Sequence, residues 1–181
     1  MSIPNIITLG RLILVPVIVW LLVSGNMQLA FAAFVAAGLS DAADGYLAKH
    51  HNMETELGAY LDPLADKMLI VCIFVTLGLN GVLPAWLVIA VVSRDVLIVG
   101  AIILSWVLGH PVKIKPAIVS KANTFSQITL ASVVLADEAF KLNLVLLRTT
   151  LVWLTALLTV ASLMHYLDTW LRHMSEPAKP V

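Results

Sequence analysis

Apolar residues run along this chain in six long stretches separated by short polar breaks. They cover Ile3 to Val23, Gln28 to Lys49, Leu57 to Leu79, Pro84 to Leu108, Ala117 to Leu135 and Leu142 to Arg172. Each comes near the ~20 residues that a bilayer core requires. Periodicity does not separate strand from helix in runs this apolar, but their length favours helix. Pro84 and Pro116 suit the first turns of the fourth and fifth helices, where an N–H has no intrahelical partner to lose. The pattern predicts an all-α integral membrane protein with six transmembrane helices in one membrane domain, residues 1–175, followed by a flexible tail at 176–181. The first stretch begins almost at Met1, is long enough to span, and has no small-residue cleavage site after it. It is expected to be a helix of the mature chain rather than a signal peptide.

Composition agrees. Hydrophobic residues make up 60% of the chain and charged residues 12%, against roughly 25% charged in soluble domains. The formal net charge is zero, so there is no global attraction to nucleic acid. The single cysteine, Cys72, lies in an apolar run, which excludes a disulfide framework and a thiolate metal site and marks it as a small buried hydrophobe. Gly38, Gly78 and Gly100 are expected at helix-packing positions. Trp20, Trp86, Trp106, Trp153 and Trp170 lie mostly near span ends, where the indole ring anchors at the interface.

Lysine and arginine set the orientation. The side that carries both termini holds Arg11, Lys49, Lys113, Lys115, Arg172 and Lys179, while the opposite side holds Lys141 and Arg148. Both termini are therefore expected in the cytoplasm, with the chain in the cell inner (cytoplasmic) membrane. Asn5, Thr8 and Arg11, the aspartates Asp41, Asp44, Asp62 and Asp66, and Ser120, Lys121, Thr124, His165 and Tyr166 then all fall in the inner leaflet. Arg94 and Asp95 lie deeper. The expected result is a polar cup open to the cytosol.

The four aspartates are the chemical focus. Asp41, Asp44, Gly45 and Ala48 share one helix face, at i, i+3, i+4 and i+7; Gly58, Asp62 and Asp66 share another, at i, i+4 and i+8. The short link His50–Glu56 makes the two helices antiparallel neighbours. Gly45, Gly58 and Ala48 leave room beside the acids for a ligand. An all-oxygen donor set suits hard cations such as Mg²⁺, Mn²⁺ or Ca²⁺ rather than zinc. Four carboxylates exceed what one Mg²⁺ takes from a protein, and two metals about 3.5–4 Å apart would fit them, clamping a displacement at phosphorus. Asp66, the deepest acid on its helix, is expected to be the general base for an attacking hydroxyl. A purely structural set, paired with Lys49, Lys67 and Arg94, would leave four acids with three bases. His50 and His51, beside Glu54 and Glu56, read as a solvated turn.

The run Asp41-x2-Asp44-Gly45-x2-Ala48-Lys49-x8-Gly58-x3-Asp62-x3-Asp66 resembles the signature of the CDP-alcohol phosphatidyltransferases. One fixed position departs: the family usually has arginine where this chain has Lys49, a point charge in place of a bidentate fork. Ile3-Pro4-Asn5 through Arg11, Ser93-Arg94-Asp95-Val96, and Lys115-Pro116 through Lys121 and Thr124 extend the resemblance over nearly the whole chain. It implies a six-helix membrane enzyme, usually a homodimer, that binds a CDP-linked lipid through two divalent cations, Mg²⁺ or Mn²⁺. In the family an acceptor hydroxyl attacks the lipid-side phosphorus and CMP leaves. By the resemblance, Asp41, Asp44 and Asp62 are metal ligands and Asp66 is ligand and base. Asp41, Gly45, Ala48, Lys49, Thr55 and Gly58 border the CDP-lipid, with Asn5, Thr8 and Arg11 on its nucleotide side.

The acceptor separates two similar subfamilies. Phosphatidylglycerophosphate synthases use glycerol 3-phosphate, a dianion; cardiolipin synthases that use CDP-diacylglycerol take phosphatidylglycerol, a monoanionic diester. Glycerophosphate-using relatives resemble one another in a second arginine eight residues after the one matching Arg94, where this chain has Ile102. Arg94, Lys115, Lys121, Thr124 and His165 form the expected acceptor-phosphate site, enough for a diester. The fourth, fifth and sixth spans resemble the cardiolipin synthases more, so phosphatidylglycerol is the expected acceptor and glycerol 3-phosphate the alternative. A rival of another class is a divalent-cation transporter. It would need polar access from both faces, and Gln28–Gly38 and Leu69–Leu79 offer almost none.

Overall fold

The computed structural model describes the backbone of residues 3–51, 56–107 and 118–175, and the side chains of residues 10, 12–40, 67–101, 104, 107 and 118–172. The described residues form six α-helices and no strand: α1 (Ile3–Val23), α2 (Met27–His51), α3 (Glu56–Leu79), α4 (Ala85–Val107), α5 (Ile118–Phe140) and α6 (Val145–Ser175). The tail expected at 176–181 lies outside them.

The helices match the six apolar stretches, with shifts at their ends. Pro84 stands just before α4 rather than in its first turn. The fifth helix runs on past Leu135 to Phe140, through Ala136, Glu138 and Ala139, which favour helix as strongly as the apolar residues before them. The sixth begins at Val145, not Leu142, because Lys141 (φ 52) and Asn143 (φ 57) adopt the left-handed conformation and stop the helical path. Hydropathy alone does not register that turn. Among the described residues, Val145–Arg172 is long and apolar enough to cross a membrane, and shorter apolar stretches lie at Leu12–Val23, Met27–Ser40 and Lys67–Leu79.

Contacts divide the chain into two compact units. The first comprises Met1–Pro84 and Ala131–Val145. In it α1 packs against both α2 and α3. Ile18 and Leu22 of α1, Ala30, Phe34 and Ala37 of α2, and Ile70, Ile73, Phe74 and Leu77 of α3 are buried, each set at helical spacing. The tight turns after α1 and α3 share one design. Gly25 (φ 75) and Gly81 (φ 71) take the left-handed position that glycine adopts without steric cost. Asn26 N–H reaches Leu21 O (2.9 Å) and Val82 N–H reaches Leu77 O (2.9 Å), which closes the helix ends as Schellman turns. Asn80 Nδ2 then donates to Leu22 O at 3.2 Å and joins the two turns. Gln28 Nε2 donates to Ala139 O, and Phe31 meets Phe140 edge to face.

The second unit comprises Ala85–Leu130 and Leu146–Val181. Its buried residues include Leu87, Val91, Arg94 and Ile98 of α4, at i, i+4, i+7 and i+11, so one charged residue interrupts an otherwise apolar stripe. Trp86, at the start of α4, and Trp153, two turns into α6, pack on each other at 5.4 Å, so the second indole is a ring partner rather than an end-of-helix residue. The glycine expectation fails for Gly38 and Gly100. Both are exposed, and a Cβ on either would meet nothing within 4 Å, because each lies on the helix face turned away from the packed stripe. Cys72 is part-buried rather than fully buried.

The turn into α6 is closed by Asp137, buried on α5, whose Oδ1 accepts the Leu144 N–H at 3.0 Å. Loss of such a helix-capping oxygen costs about 0.5–2 kcal/mol. Asp137→Ala should therefore lower the thermal unfolding midpoint of the detergent-solubilised protein. Asp137→Asn, which keeps an acceptor oxygen, should lose less.

Candidate active site

The acidic pairs fall on continuous helix. Asp41, Asp44, Gly45, Ala48 and Lys49 belong to the last turns of α2, and Gly58, Asp62 and Asp66 to the first three turns of α3. Helical backbone passes through Pro63 without interruption, so the i, i+3 and i, i+4 spacings act as expected and each pair shares a face. Asn5, Thr8 and Arg11 lie near the start of α1. The side chains of all these residues lie outside the described set, and Thr55 and Lys115 lie outside it altogether. What the aspartates offer chemically is a donor set of oxygens alone, two acids from each helix, which fits hard divalent cations.

The second feature is Arg94. It is 3% exposed, which for a permanent charge demands partners. Its guanidinium has them on three elements. Nη1 donates to Asp95 Oδ1 at 2.5 Å. Nη2 donates to Ser120 Oγ of α5 at 2.7 Å and to Ser162 Oγ of α6 at 2.5 Å. The Tyr166 ring lies 5.7 Å from Cζ, within cation–π range. Consecutive helical residues do not ordinarily face each other, yet the Arg94 and Asp95 side chains pair directly. The buried Nε–H has no partner among the described residues.

Arg94 ends a polar seam between α5 and α6. One turn away Thr159 Oγ1 donates to Asn123 Oδ1 at 3.0 Å, and a turn beyond that the hydroxyls of Ser126 and Thr155 are 2.7 Å apart. All four residues are buried. Asn123 Nδ2 and Gln127 Nε2 join Arg94 Nε as buried donors with no partner among the described residues. On α6 the seam reads Thr155, Thr159, Ser162, Tyr166, at i, i+4, i+7 and i+11. That periodicity is visible in the sequence as the polar minority of an apolar helix. A search for charged residues passes over it.

The expected acceptor residues divide accordingly. Arg94 is buried and held, with Asp95 orienting it. Lys121, Thr124 and His165 are exposed. Thr124 Oγ1 donates back to the carbonyl of Ser120 at 3.2 Å. Tyr166, next to His165, is the aromatic residue that meets Arg94. Ser120, Ser162 and Tyr166 are the functional candidates that reasoning from charge did not single out.

Comparison with known proteins adds the frame. The family model for CDP-alcohol phosphatidyltransferases matches residues 1–161. A rice chloroplastic CDP-diacylglycerol–glycerol-3-phosphate 3-phosphatidyltransferase (Oryza sativa subsp. japonica) is 34% identical, over 92% of this chain and 56% of its own length. A human CMP-forming cardiolipin synthase is 32% identical, over 91% of this chain and 60% of its own. A putative cardiolipin synthase of Mycobacterium tuberculosis is 35% identical, over 69% of this chain and 60% of its own. The chain thus spans between 56% and 60% of the length of these relatives. With a match over residues 1–161, including the whole aspartate signature on α2 and α3, the chain belongs to the CDP-alcohol phosphatidyltransferase family.

Proposed function

We propose that this protein is a phospholipid-synthesising transferase that moves the phosphatidyl group of CDP-diacylglycerol onto a hydroxyl of phosphatidylglycerol, giving cardiolipin and CMP. The aspartate signature on α2 and α3 carries the class of reaction. Asp41, Asp44, Asp62 and Asp66 would hold two divalent cations, Mg²⁺ or Mn²⁺. When bound, these cations supply charge neutralisation at the diphosphate and at the departing CMP oxygen. Asp66 takes the proton of the attacking hydroxyl. A new bond forms from that oxygen to the lipid-side phosphorus, the bond to the CMP oxygen breaks, and CMP carries the electron pair away. Lys49, Thr55 and Arg11 answer the charge and polarity of the nucleotide, and Asn5 and Thr8 add hydrogen-bonding groups near it. Gly45, Gly58 and Ala48 keep the space open.

The acceptor reading rests on how few cations α4 supplies. Arg94 is its one basic residue, and position 102, two turns on, is isoleucine. A phosphodiester with one negative charge needs less compensation than a dianionic monoester. Glycerol 3-phosphate remains the second reading, supported by the rice relative, whose name carries that acceptor. We further propose six spans, both termini in the cytoplasm of the cell inner membrane, and a homodimer. Large apolar side chains stand exposed on the helices, among them Trp20 (64%), Leu79 (83%) and Leu146 (83%), and lipid would cover them.

One assay decides the class and the acceptor. Purified protein with Mn²⁺ and CDP-diacylglycerol should release CMP when phosphatidylglycerol is supplied and form cardiolipin; chelation should stop it, and added Mg²⁺ or Mn²⁺ should restore it. Consumption of glycerol 3-phosphate alone would reverse the acceptor reading, and no CMP with any alcohol would end the enzyme reading. Asp66→Asn should abolish turnover yet leave CDP-diacylglycerol binding largely intact, whereas Asp41→Asn should weaken binding itself. Equal loss of binding in both would reduce Asp66 to a ligand. For topology, single cysteines placed at Asn26 or Asn80 in a Cys72→Ser background should react with an impermeant maleimide from outside the cell. A cysteine placed at Lys179 should react after permeabilisation alone.

A further inference from the structure

We propose that Ser162 of α6 is a positioning residue for the acceptor. Its hydroxyl, together with that of Ser120, holds the Arg94 guanidinium in one orientation and so sets the recognition of a singly charged phosphodiester. This inference rests on the acceptor reading above and deepens it.

The geometry of the guanidinium carries the argument. Arginine has five N–H donors in a fixed plane. Both Nη2 hydrogens are taken by hydroxyl oxygens, Ser120 on α5 and Ser162 on α6. Nη1 is drawn to Asp95, and Tyr166 covers the group. These partners come from α4, α5 and α6, so the plane of the fork is determined from several directions. These bonds use three of the five donors; of the remaining two, the Nε–H sits on a buried atom that has no partner among the described residues. A buried donor without an acceptor is costly, and a ligand oxygen arriving there would relieve that cost.

Charge decides which ligand. A serine hydroxyl accepts a hydrogen bond from arginine without adding a negative charge. Asp95 does add one, so the cluster of Arg94, Asp95, Ser120, Ser162 and Tyr166 is formally neutral. A monoanionic diester brings one uncompensated charge into this buried setting and a dianionic monoester brings two. Desolvation therefore discriminates against the monoester. A cage made of two hydroxyls orients the cation while leaving it able to take a ligand, which a second carboxylate would prevent.

Ser162 itself is placed by its neighbours. It is 1% exposed and lies one turn along α6 from Thr159, which bonds Asn123, and two turns from Thr155, which bonds Ser126. These contacts set the register of α6 on α5. The Ser162 hydroxyl is thus preorganised, the condition under which a positioning group is effective.

The test is a steady-state comparison on the full chain in mixed micelles of CDP-diacylglycerol and phosphatidylglycerol, with thermal unfolding as the check on folding. Ser162→Ala should raise KM for phosphatidylglycerol about tenfold, the effect of one hydrogen bond to a charged group. KM for CDP-diacylglycerol and kcat should change less than about twofold, because the hydroxyl acts on acceptor binding. Ser162→Thr, which keeps the hydroxyl, should restore most of the loss. In an Arg94→Lys background Ser162→Ala should add little, since the serine acts through the arginine; full additivity would overturn the proposal. So would a parallel rise in both KM values, or a fall in kcat alone. If Ser162→Ala does not yield folded protein, Ser120→Ala, at a less buried hydroxyl on the same nitrogen, should show the same selective rise, and its absence would count against the proposal. A wild-type chain that consumes glycerol 3-phosphate alone would defeat the acceptor reading and the diester preference together. The same KM split measured with that substrate would still decide whether Ser162 positions Arg94.

Discussion

A permanent positive charge is buried at the centre of α4, and the second unit is arranged around satisfying it. Ordinary packing would place a third aliphatic residue between Val91 and Ile98. With arginine there, the helix needs oxygen from outside itself, and α5 and α6 each bring a serine to the same nitrogen. The threonine, asparagine and serine pairs farther along these two helices then make sense as register devices. An apolar seam could slide by a turn at small cost, whereas a seam of matched hydrogen bonds loses several at once. The buried charge and the seam thus depend on each other.

The first unit solves a different problem with little polarity. The turns after α1 and α3 are so short that the backbone must reverse within a few residues, and glycine takes the positive-φ position in each. Asn80 fastens one turn to the other through the Leu22 carbonyl, which also accepts the Gly25 N–H. The described packed stripes of α1, α2 and α3 run through Ile18 and Leu22, Ala30 to Ala37, and Leu69 to Leu77.

Much of this was legible in the sequence. Length and hydropathy placed six helices, and the short breaks between the apolar stretches fell at the tight turns. The spacing of Asp41, Asp44, Asp62 and Asp66 set them on two helix faces, because a helix of known period leaves no other choice. The start of α6 was not legible, since it depends on left-handed backbone at Lys141 and Asn143, and lysine gives no warning of that. Gly38 and Gly100 misled because a glycine in a helix signals closeness only if its face is turned inward, and hydropathy does not say which way a uniformly apolar helix faces. Ser120 and Tyr166 fall in the expected polar cup without a role of their own, and Ser162 is silent in the pattern. A hydroxyl's role is decided by which donor it meets, and that donor lies on a distant part of the chain.

The adjacency of Arg94 and Asp95 has a consequence for how such a chain is made. Ser120 and Ser162 come later in the sequence, so neither stands beside Arg94 when α4 first leaves the ribosome. The one partner already present is the next residue. An isolated arginine at the centre of a helix entering a bilayer costs about 2.5–3.5 kcal/mol on insertion scales. A carboxylate supplied by the neighbouring residue lets the two side chains enter as a neutral pair. In the six-span reading, α4 can therefore be committed to the membrane before its final partners arrive beside it. The hydroxyls of α5 and α6 then take over the guanidinium as those helices arrive.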